Sequence, residues 1–389
     1  MKKSLHLHPG ILQEVGGRIR HAGCFERHDD DRIVSSQELW YEFQELPPGL
    51  VPEDPAPFFM VLIQLAMEEQ RTLHVHGQVS RSLLANLEEF CRAWQALRPT
   101  EFHQIPFVVE GIVDDHDRRP LPGAVATASG GLDSAFTLWR HSKGKAGYAT
   151  LPIRQVVMMD GIELDGRPED FRRAVGHNRA MVESLGLNLT VVKTNYRQAI
   201  PHGMLLCYGS LLASCLYHFK GLAGNGLIAS GHPYAAPEMI RYGSNALADP
   251  LLSSNGFRIH HDGAAYRRLD KMIALADWPE YASHVRVCWQ VDSNGLNCGH
   301  CEKCLRTNLI QRVLTGTHPP AFPPDVPLRK LIKTVRVPKE QKLYWTEFAD
   351  WIRENGQGTE WLSLAEKKGR IQEPLGRQLR RLFQTLTGK

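Results

Sequence analysis

With 389 residues, 42% of them hydrophobic and 23% charged, the chain can bury a large core and by length alone divides into two or more domains; disorder, collagen and a small disulfide scaffold are excluded. A formal net charge of +4 is too small to demand nucleic acid as a partner. No stretch approaches the roughly 20 apolar residues of a membrane span, and the opening MKKSLHLHPG lacks the apolar core of a signal peptide, so a soluble, cytoplasmic protein with no membrane partner is expected.

Residues 1–115 read as a small α+β domain. LWYEF at Leu39–Phe43 and TLHVHGQV at Thr72–Val79 alternate as half-buried strands do. Between them, the apolar run Ala56–Glu69 suits a buried helix introduced by a proline-rich loop. Ser80 is placed as the N-cap of a second helix whose Leu83, Leu84, Leu87, Phe90, Cys91 and Trp94 share one face. Asp114–Gly123, polar and twice interrupted by proline, reads as a linker.

From Gly123 strands and helices alternate. Strands are expected at Ala124–Ser129, Arg154–Asp160, Leu187–Asn195 and Asn225–His232, with helices at Ser134–Ser142, Pro168–Gly186 and Met204–Phe219 between them. Helical crossovers of this length imply an α/β fold: a parallel sheet with helices on both faces, binding its ligand at the carboxyl ends of the strands. The domain is assigned to 123–315, and 316–389 to a helical extension.

The chemistry concentrates in two places. Ser129-Gly130-Gly131-Leu132-Asp133-Ser134 follows the first strand of the alternating region and runs into a helix. Paired glycines let backbone approach an anion, and a helix start offers free amides and the positive end of its dipole. Hydroxyls of Ser129 and Ser134 can add hydrogen bonds, and Asp133 can hold Mg²⁺ against a phosphate. Further on, Cys288, Cys298, Cys301 and Cys304 offer four thiolates at spacings that suit a closed, structural Zn²⁺ site, with an iron–sulfur cluster as the competing occupant. Cys24, Cys91, Cys207 and Cys215 lack such spacing and read as buried small hydrophobes.

The Ser-Gly-Gly-x-Asp-Ser loop resembles that of the PP-loop ATP pyrophosphatases, which cleave ATP between the α- and β-phosphates and pass AMP to a carbonyl oxygen. Two more segments are similar: Ser230-Gly231-His232, where relatives carry a Gly-His pair near the nucleotide, and Arg268-Leu269-Asp270-Lys271-Met272, similar to a Leu-x-Lys-x-Glu element whose lysine faces the phosphates. Here Ile273 stands where the glutamate is expected. The resemblance implies ATP contacts at Ser129, Gly130, Gly131, Leu132, Asp133, Ser134, Asp160, Gly231 and His232, with Asp133 and Lys271 as the catalytic pair.

Loop, lysine element and cysteine cluster, in that order, resemble the 7-cyano-7-deazaguanine synthases (QueC-like enzymes) over roughly Ala124–Arg312, including an arginine two positions after the last cysteine, Arg306. The resemblance implies ATP, Mg²⁺ and Zn²⁺, a deazapurine carboxylate as substrate and an amide or nitrile product; a homodimer is a separate expectation that the resemblance does not carry. Asp160-Gly161-Ile162-Glu163-Leu164-Asp165 and the segment His232–Phe257 depart from the family pattern, which puts the acyl substrate in doubt. Relatives in antiphage defence join a deazaguanine to a protein's amino terminus, so a protein amine and ammonia both stand as acceptors, a protein being bound through the N-terminal domain. His177 and His232 are the candidate bases. A tRNA thiolase or lysidine-type enzyme is the enzymatic rival, with the basic tail Lys367–Lys389 as its nucleic-acid contact, and a non-catalytic nucleotide-binding module is the rival of another class. Asp133→Ala is expected to abolish AMP formation and leave folding largely intact.

Overall fold

The computed structural model describes residues 2–30, 32–200, 205–236, 242–290 and 293–370. It divides into two compact units, Met1–Cys298 and Gly299–Lys389. The expected boundaries at 115–123 and 315–316 both fall inside these units, and most of the basic tail, with its RQLRRLF stretch, lies outside the described residues.

The first unit is built on one ten-stranded sheet: β1 (Lys3–Val15), β2 (Arg18–Asp29), β3 (Arg32–Phe43), β4 (Thr72–Ser80), β5 (Phe107–Val113), β6 (Ala124–Thr127), β7 (Ile153–Asp160), β8 (Leu189–Thr194), β9 (Asn225–Ala229) and β10 (Arg258–Asp262), in the order β10-β9-β6-β7-β8-β3-β2-β1-β4-β5. The pairs among β6–β9 are all parallel, as expected, and β10, which the sequence reading does not include, adds to β9 in parallel. The sheet as a whole is mixed, because β1, β2 and β3 form an antiparallel meander and β3 joins β8 antiparallel at Tyr41–Thr194 and Glu42–Lys193. The tight turn between β1 and β2 is Gly16-Gly17, both left-handed, which suits the twist of a two-residue hairpin.

Helices α1 (Ala56–Glu69), α2 (Arg81–Leu97), α3 (Leu132–Ser142), α4 (Pro168–Ser184), α5 (Tyr196–Ala199), α6 (Tyr208–Tyr217), α7 (Arg268–Ala274) and α8 (Pro279–His284) complete the unit. Side chains alternate across a strand, so the two faces of β6 and β7 bury different partners. Val125 and Val157 join a core with residues of α1, α2 and α6, among them Phe58, Leu87 and Leu211. Ala124, Ala126, Val156 and Met158 face the other way, into a core with Leu138 of α3 and Phe171 and Val182 of α4. Helices therefore cover both faces of this half of the sheet, an arrangement compatible with a Rossmann-like α/β fold. Helix α1 is buried from Ala56 to Met67, as an element apolar all round must be.

The second unit holds α9 (Glu302–Thr315), α10 (Leu328–Thr334), α11 (Lys342–Asn355) and α12 (Leu362–Gly369), with Leu309, Ile332, Trp345, Phe348 and Ala365 buried. Among the described residues no helix is long and apolar enough to cross a membrane.

Candidate functional site

Strand order locates the site. From β6 the chain moves through α3 and α4 to β7 and β8 on one side, then returns through α6 to β9 on the other side of β6. Neighbours β6 and β9 thus feed connections that run in opposite directions, and the crevice beyond their carboxyl ends is where open α/β sheets bind ligands. The loops leaving these two strands are Ala128–Gly131 and Ser230–His232, two of the segments singled out by sequence.

After β6, Ala128 N–H donates to the Val157 carbonyl at 2.8 Å and Asn178 Nδ2 donates to the Ala128 carbonyl at 3.0 Å, so the loop is tied to the sheet and to α4. Gly130 adopts φ +79°, and a Cβ there would stand 3.4 Å from Asn178 Cβ; a left-handed turn so close to a neighbour calls for glycine. The Gly130 carbonyl accepts from Arg286 N–H at 2.8 Å. Gly131 is the N-cap of α3, so the first-turn amides of Leu132, Asp133 and Ser134 have no acceptor within the helix. The Ser134 hydroxyl donates back to the Gly131 carbonyl at 3.1 Å and closes the helix start. Leu132 is buried in the core.

Asp133, in the first turn of α3, meets two cations of α7. Lys271 Nζ donates to Oδ1 at 2.9 Å and Arg268 to Oδ2 at 2.7 Å. Lys271 is 1% exposed and its ammonium also donates to the Ser230 carbonyl at 2.5 Å, so one lysine joins both loops of the crevice. Burial alone would raise the Asp133 carboxyl; the charges of Arg268 and Lys271 outweigh it and hold the pKa below the ordinary value. Arg268 opens the lysine element and is a site residue that the sequence reading does not include. Its signal is the three-residue spacing to Lys271, which puts both on one side of a helix.

A second network braces the Ser230 turn. His261 of β10 brings Nε2 to 2.8 Å from Ser230 Oγ and Nδ1 to 2.8 Å from Asp249 Oδ2. Asp249 also accepts from Ser244 Oγ at 2.7 Å and from Asn245 N–H at 3.1 Å, and Ser230 Oγ donates to the His232 carbonyl at 2.6 Å. Serine, histidine and aspartate stand in the order of a hydrolase triad, but Ser230 is 0% exposed. The network therefore holds a turn in shape and presents no nucleophile. Neither His261 nor Asp249 lies in a recognisable motif, and β10 itself was not expected.

The remaining candidates are less tightly joined. Asp160 ends β7, one strand from the loop, and burial raises its carboxyl. Gly231 has open space where a side chain would be, and the His232 ring stacks on Tyr242 at 4.3 Å. His177 pairs through Nδ1 with His284 Nδ1 at 3.3 Å; burial and that neighbour lower its pKa. Part of the divergent segment His232–Phe257, residues 237–241, lies outside the described residues.

The sulfur atoms of Cys288, Cys298, Cys301 and Cys304 all lie within 4.8 Å of one another. A tetrahedral Zn²⁺ with bonds near 2.3 Å has sulfur–sulfur edges of about 3.8 Å, so small side-chain rotations complete the shell. Cys301 is the N-cap of α9 and Cys304 stands in its first turn; Gly299 supplies the left-handed turn (φ +77°) that brings Cys298 and Cys301 onto one centre. Four thiolates at this separation fit a metal such as zinc and leave no open coordination position. Arg306 is buried against Glu302 at 2.7 Å and over the Tyr344 ring at 4.7 Å, a packing role inside the helical unit. Cys91, Cys207 and Cys215 are buried as expected, whereas Cys24 is half-buried with Ser36 Oγ 3.3 Å from its sulfur. No family model, curated protein or solved structure matches the chain.

Proposed function

We propose that the chain is an ATP-dependent carbon–nitrogen ligase of the 7-cyano-7-deazaguanine synthase type, a PP-loop enzyme of the reducing cytoplasm. It adenylates a carboxylate, with 7-carboxy-7-deazaguanine as the substrate favoured by the sequence resemblance, and transfers the acyl group to a nitrogen nucleophile. The observation that carries this reading is the convergence, at the switch point of the sheet, of a helix start, the Gly130 turn and two cations held on Asp133.

Phosphate oxygens entering the crevice compete with Asp133 for Lys271 and Arg268, and the exchange brings positive charge to the groups on which negative charge develops. Asp133, once released from those cations, is the residue that would hold Mg²⁺, whose charge offsets that of the phosphates when bound. A carboxylate oxygen of the substrate attacks the α-phosphorus, the bond to the bridging oxygen breaks, and pyrophosphate leaves with its electrons. The nitrogen then attacks the acyl carbon, AMP departs, and the nitrogen's proton passes to a base, for which His232, on the loop that follows β9, and His177 of α4 are the candidates. Zinc at the four cysteines is structural. Of the two acceptors, a protein amine suits a chain whose N-terminal residues add no recognisable chemical group.

The test is incubation with ATP, Mg²⁺ and 7-carboxy-7-deazaguanine, followed by assay of AMP and pyrophosphate and intact-mass spectrometry of candidate protein acceptors. Release of AMP and pyrophosphate dependent on the acid supports the proposal. Tight ATP binding without turnover on any carboxylate sinks it in favour of a binding module, and transfer of ³⁵S to tRNA in favour of a thiolase.

A further inference from the structure

The N-terminal half of the sheet carries a feature that the ligase reading does not use. Two His-x-His pairs, His6-Leu7-His8 in β1 and His74-Val75-His76 in β4, lie on adjacent parallel strands with His6 opposite His74. Alternation turns Leu5, Leu7, Leu73 and Val75 into the core and all four imidazoles to the opposite face. Strand β2 adds Glu26, opposite His6, and His28, opposite Ser4, on that same face.

The rings form a continuous array. His6 stacks on His74 at 4.4 Å, His8 on His76 at 4.5 Å, and His6 lies 4.2 Å from His28. His6 Nδ1 is 3.1 Å from His76 Nε2, a contact that requires one of the two nitrogens to offer a lone pair. Two imidazoles on one tetrahedral ion, with metal–nitrogen bonds near 2.0–2.1 Å, hold their nitrogens about 3.3 Å apart. Glu26 Oε2 stands 3.1 Å from His28 Nε2 and 3.5 Å from His8 Nε2. Nitrogen and carboxylate donors thus meet in pairs at near-ligand spacing, His6 with His76 and Glu26 with His28 and with His8, whereas the four cysteines are the only set of three or more donors mutually within 4.8 Å among the described residues. The His8 side chain is 41% exposed, which leaves room for the rotation that would merge these pairs and for an ion to enter.

We propose that this face is a second metal site, for a divalent first-row transition ion of the kind imidazole prefers, such as Zn²⁺. His6 and His76 form its nucleus, and Glu26 with His8 or His28 completes the shell. The site is separate from the four cysteines in both residues and donor chemistry.

The test uses the full chain without a polyhistidine tag, dialysed against Zn²⁺ and analysed for bound metal, with the affinity of each equivalent read by competition with a chromophoric chelator. The variant His6→Asn/His76→Asn is expected to bind one zinc fewer than the parent, or to hold that equivalent at least about ten-fold more weakly. In a variant with Cys288, Cys298, Cys301 and Cys304 all changed to serine the histidine-bound zinc remains, and its Co²⁺ derivative shows no sulfur-to-cobalt charge-transfer absorption. Circular dichroism verifies the variant's fold; if the pair of changes disrupts it, Glu26→Gln read in the same way takes its place. Equal zinc stoichiometry with unchanged affinity in the histidine or glutamate variant overturns the proposal, as does a sulfur-to-cobalt band from the only cobalt retained.

Discussion

Lys271 is a buried ammonium with two oxygen partners, Asp133 and the Ser230 carbonyl. Removing Asp133 leaves that charge short of its counter-ion, and breaking a buried pair from one side costs about 3–5 kcal/mol. Asp133→Ala is therefore expected to lose stability as well as AMP formation, which corrects the expectation of an intact fold. Adding Lys271→Met should recover most of the lost denaturation midpoint while activity stays absent; a double variant no more stable than Asp133→Ala would show that the pair is not the cause. The sign with pH follows from the depressed carboxyl. Its contribution is complete above the ordinary carboxylate value near 4 and is lost as pH falls through the lower folded value. Asp133→Asn should accordingly flatten part of the acid limb of the stability–pH curve.

At the scale of elements, legibility followed apolar pattern and motif. The helix expected at Ala56–Glu69 is α1 with the same bounds, and β7 and α4 agree with their runs within two residues, because each buries a long apolar stretch or stripe. Strands β1, β2, β5 and β10 escaped for physical reasons. Pro9 and Gly10 break the pattern of β1 at its register shift, β2 is rich in charge, β5 exposes Val108, Ile112 and Val113, and β10 is the short polar run Arg-Ile-His-His-Asp. Gly16-Gly17 is the local signal for the β1–β2 hairpin. The grouping of the four cysteines was legible because their spacing is local, and so was the glycine turn into α3; the His261–Asp249 brace was not, because it joins residues from separate segments. His261→Ala strands a buried carboxylate and hydroxyl, at a cost of about 1–3 kcal/mol, and should raise the KM for ATP by loosening the turn that holds Lys271. His261→Gln should restore part of both; an unchanged KM in a destabilised His261→Ala would leave the network a packing role only. Cys301→Ser should lower both zinc content and melting temperature, since structural zinc contributes directly to folding, and a variant with native zinc and stability would remove the metal from the cluster.

Length implies two or more domains, and the position of the motifs makes 1–115, which adds no recognisable catalytic group, an accessory domain ahead of a catalytic one at 123–315. The core of the first unit ignores that division. Phe25, Tyr41, Phe43, Phe58 and Leu87 belong to the same apolar cluster as Val125, Val157, Leu211 and Ile228. Polar contacts cross it as well: Tyr41 Oη lies 2.6 Å from Ser214 Oγ, Gln64 Nε2 donates to the Leu206 carbonyl at 2.9 Å, and the Asn195 side chain bonds both Trp40 N–H and the Glu38 carbonyl. Strand β8 would become an open edge without β3, and α6 would lose the helix it packs against, α1. A chain beginning at Gly123 should therefore aggregate or remain unfolded, although it keeps all of Ser129–Ser134 and all four cysteines. A monomeric, cooperatively unfolding product, seen by sedimentation and calorimetry, would show that the alternating half folds alone and that the N-terminal half is an attachment. If aggregation is found, the N-terminal half and the proposed nucleotide crevice share one sheet and one core, so on the proposed reading variants that loosen α1 should weaken acceptor and nucleotide binding together.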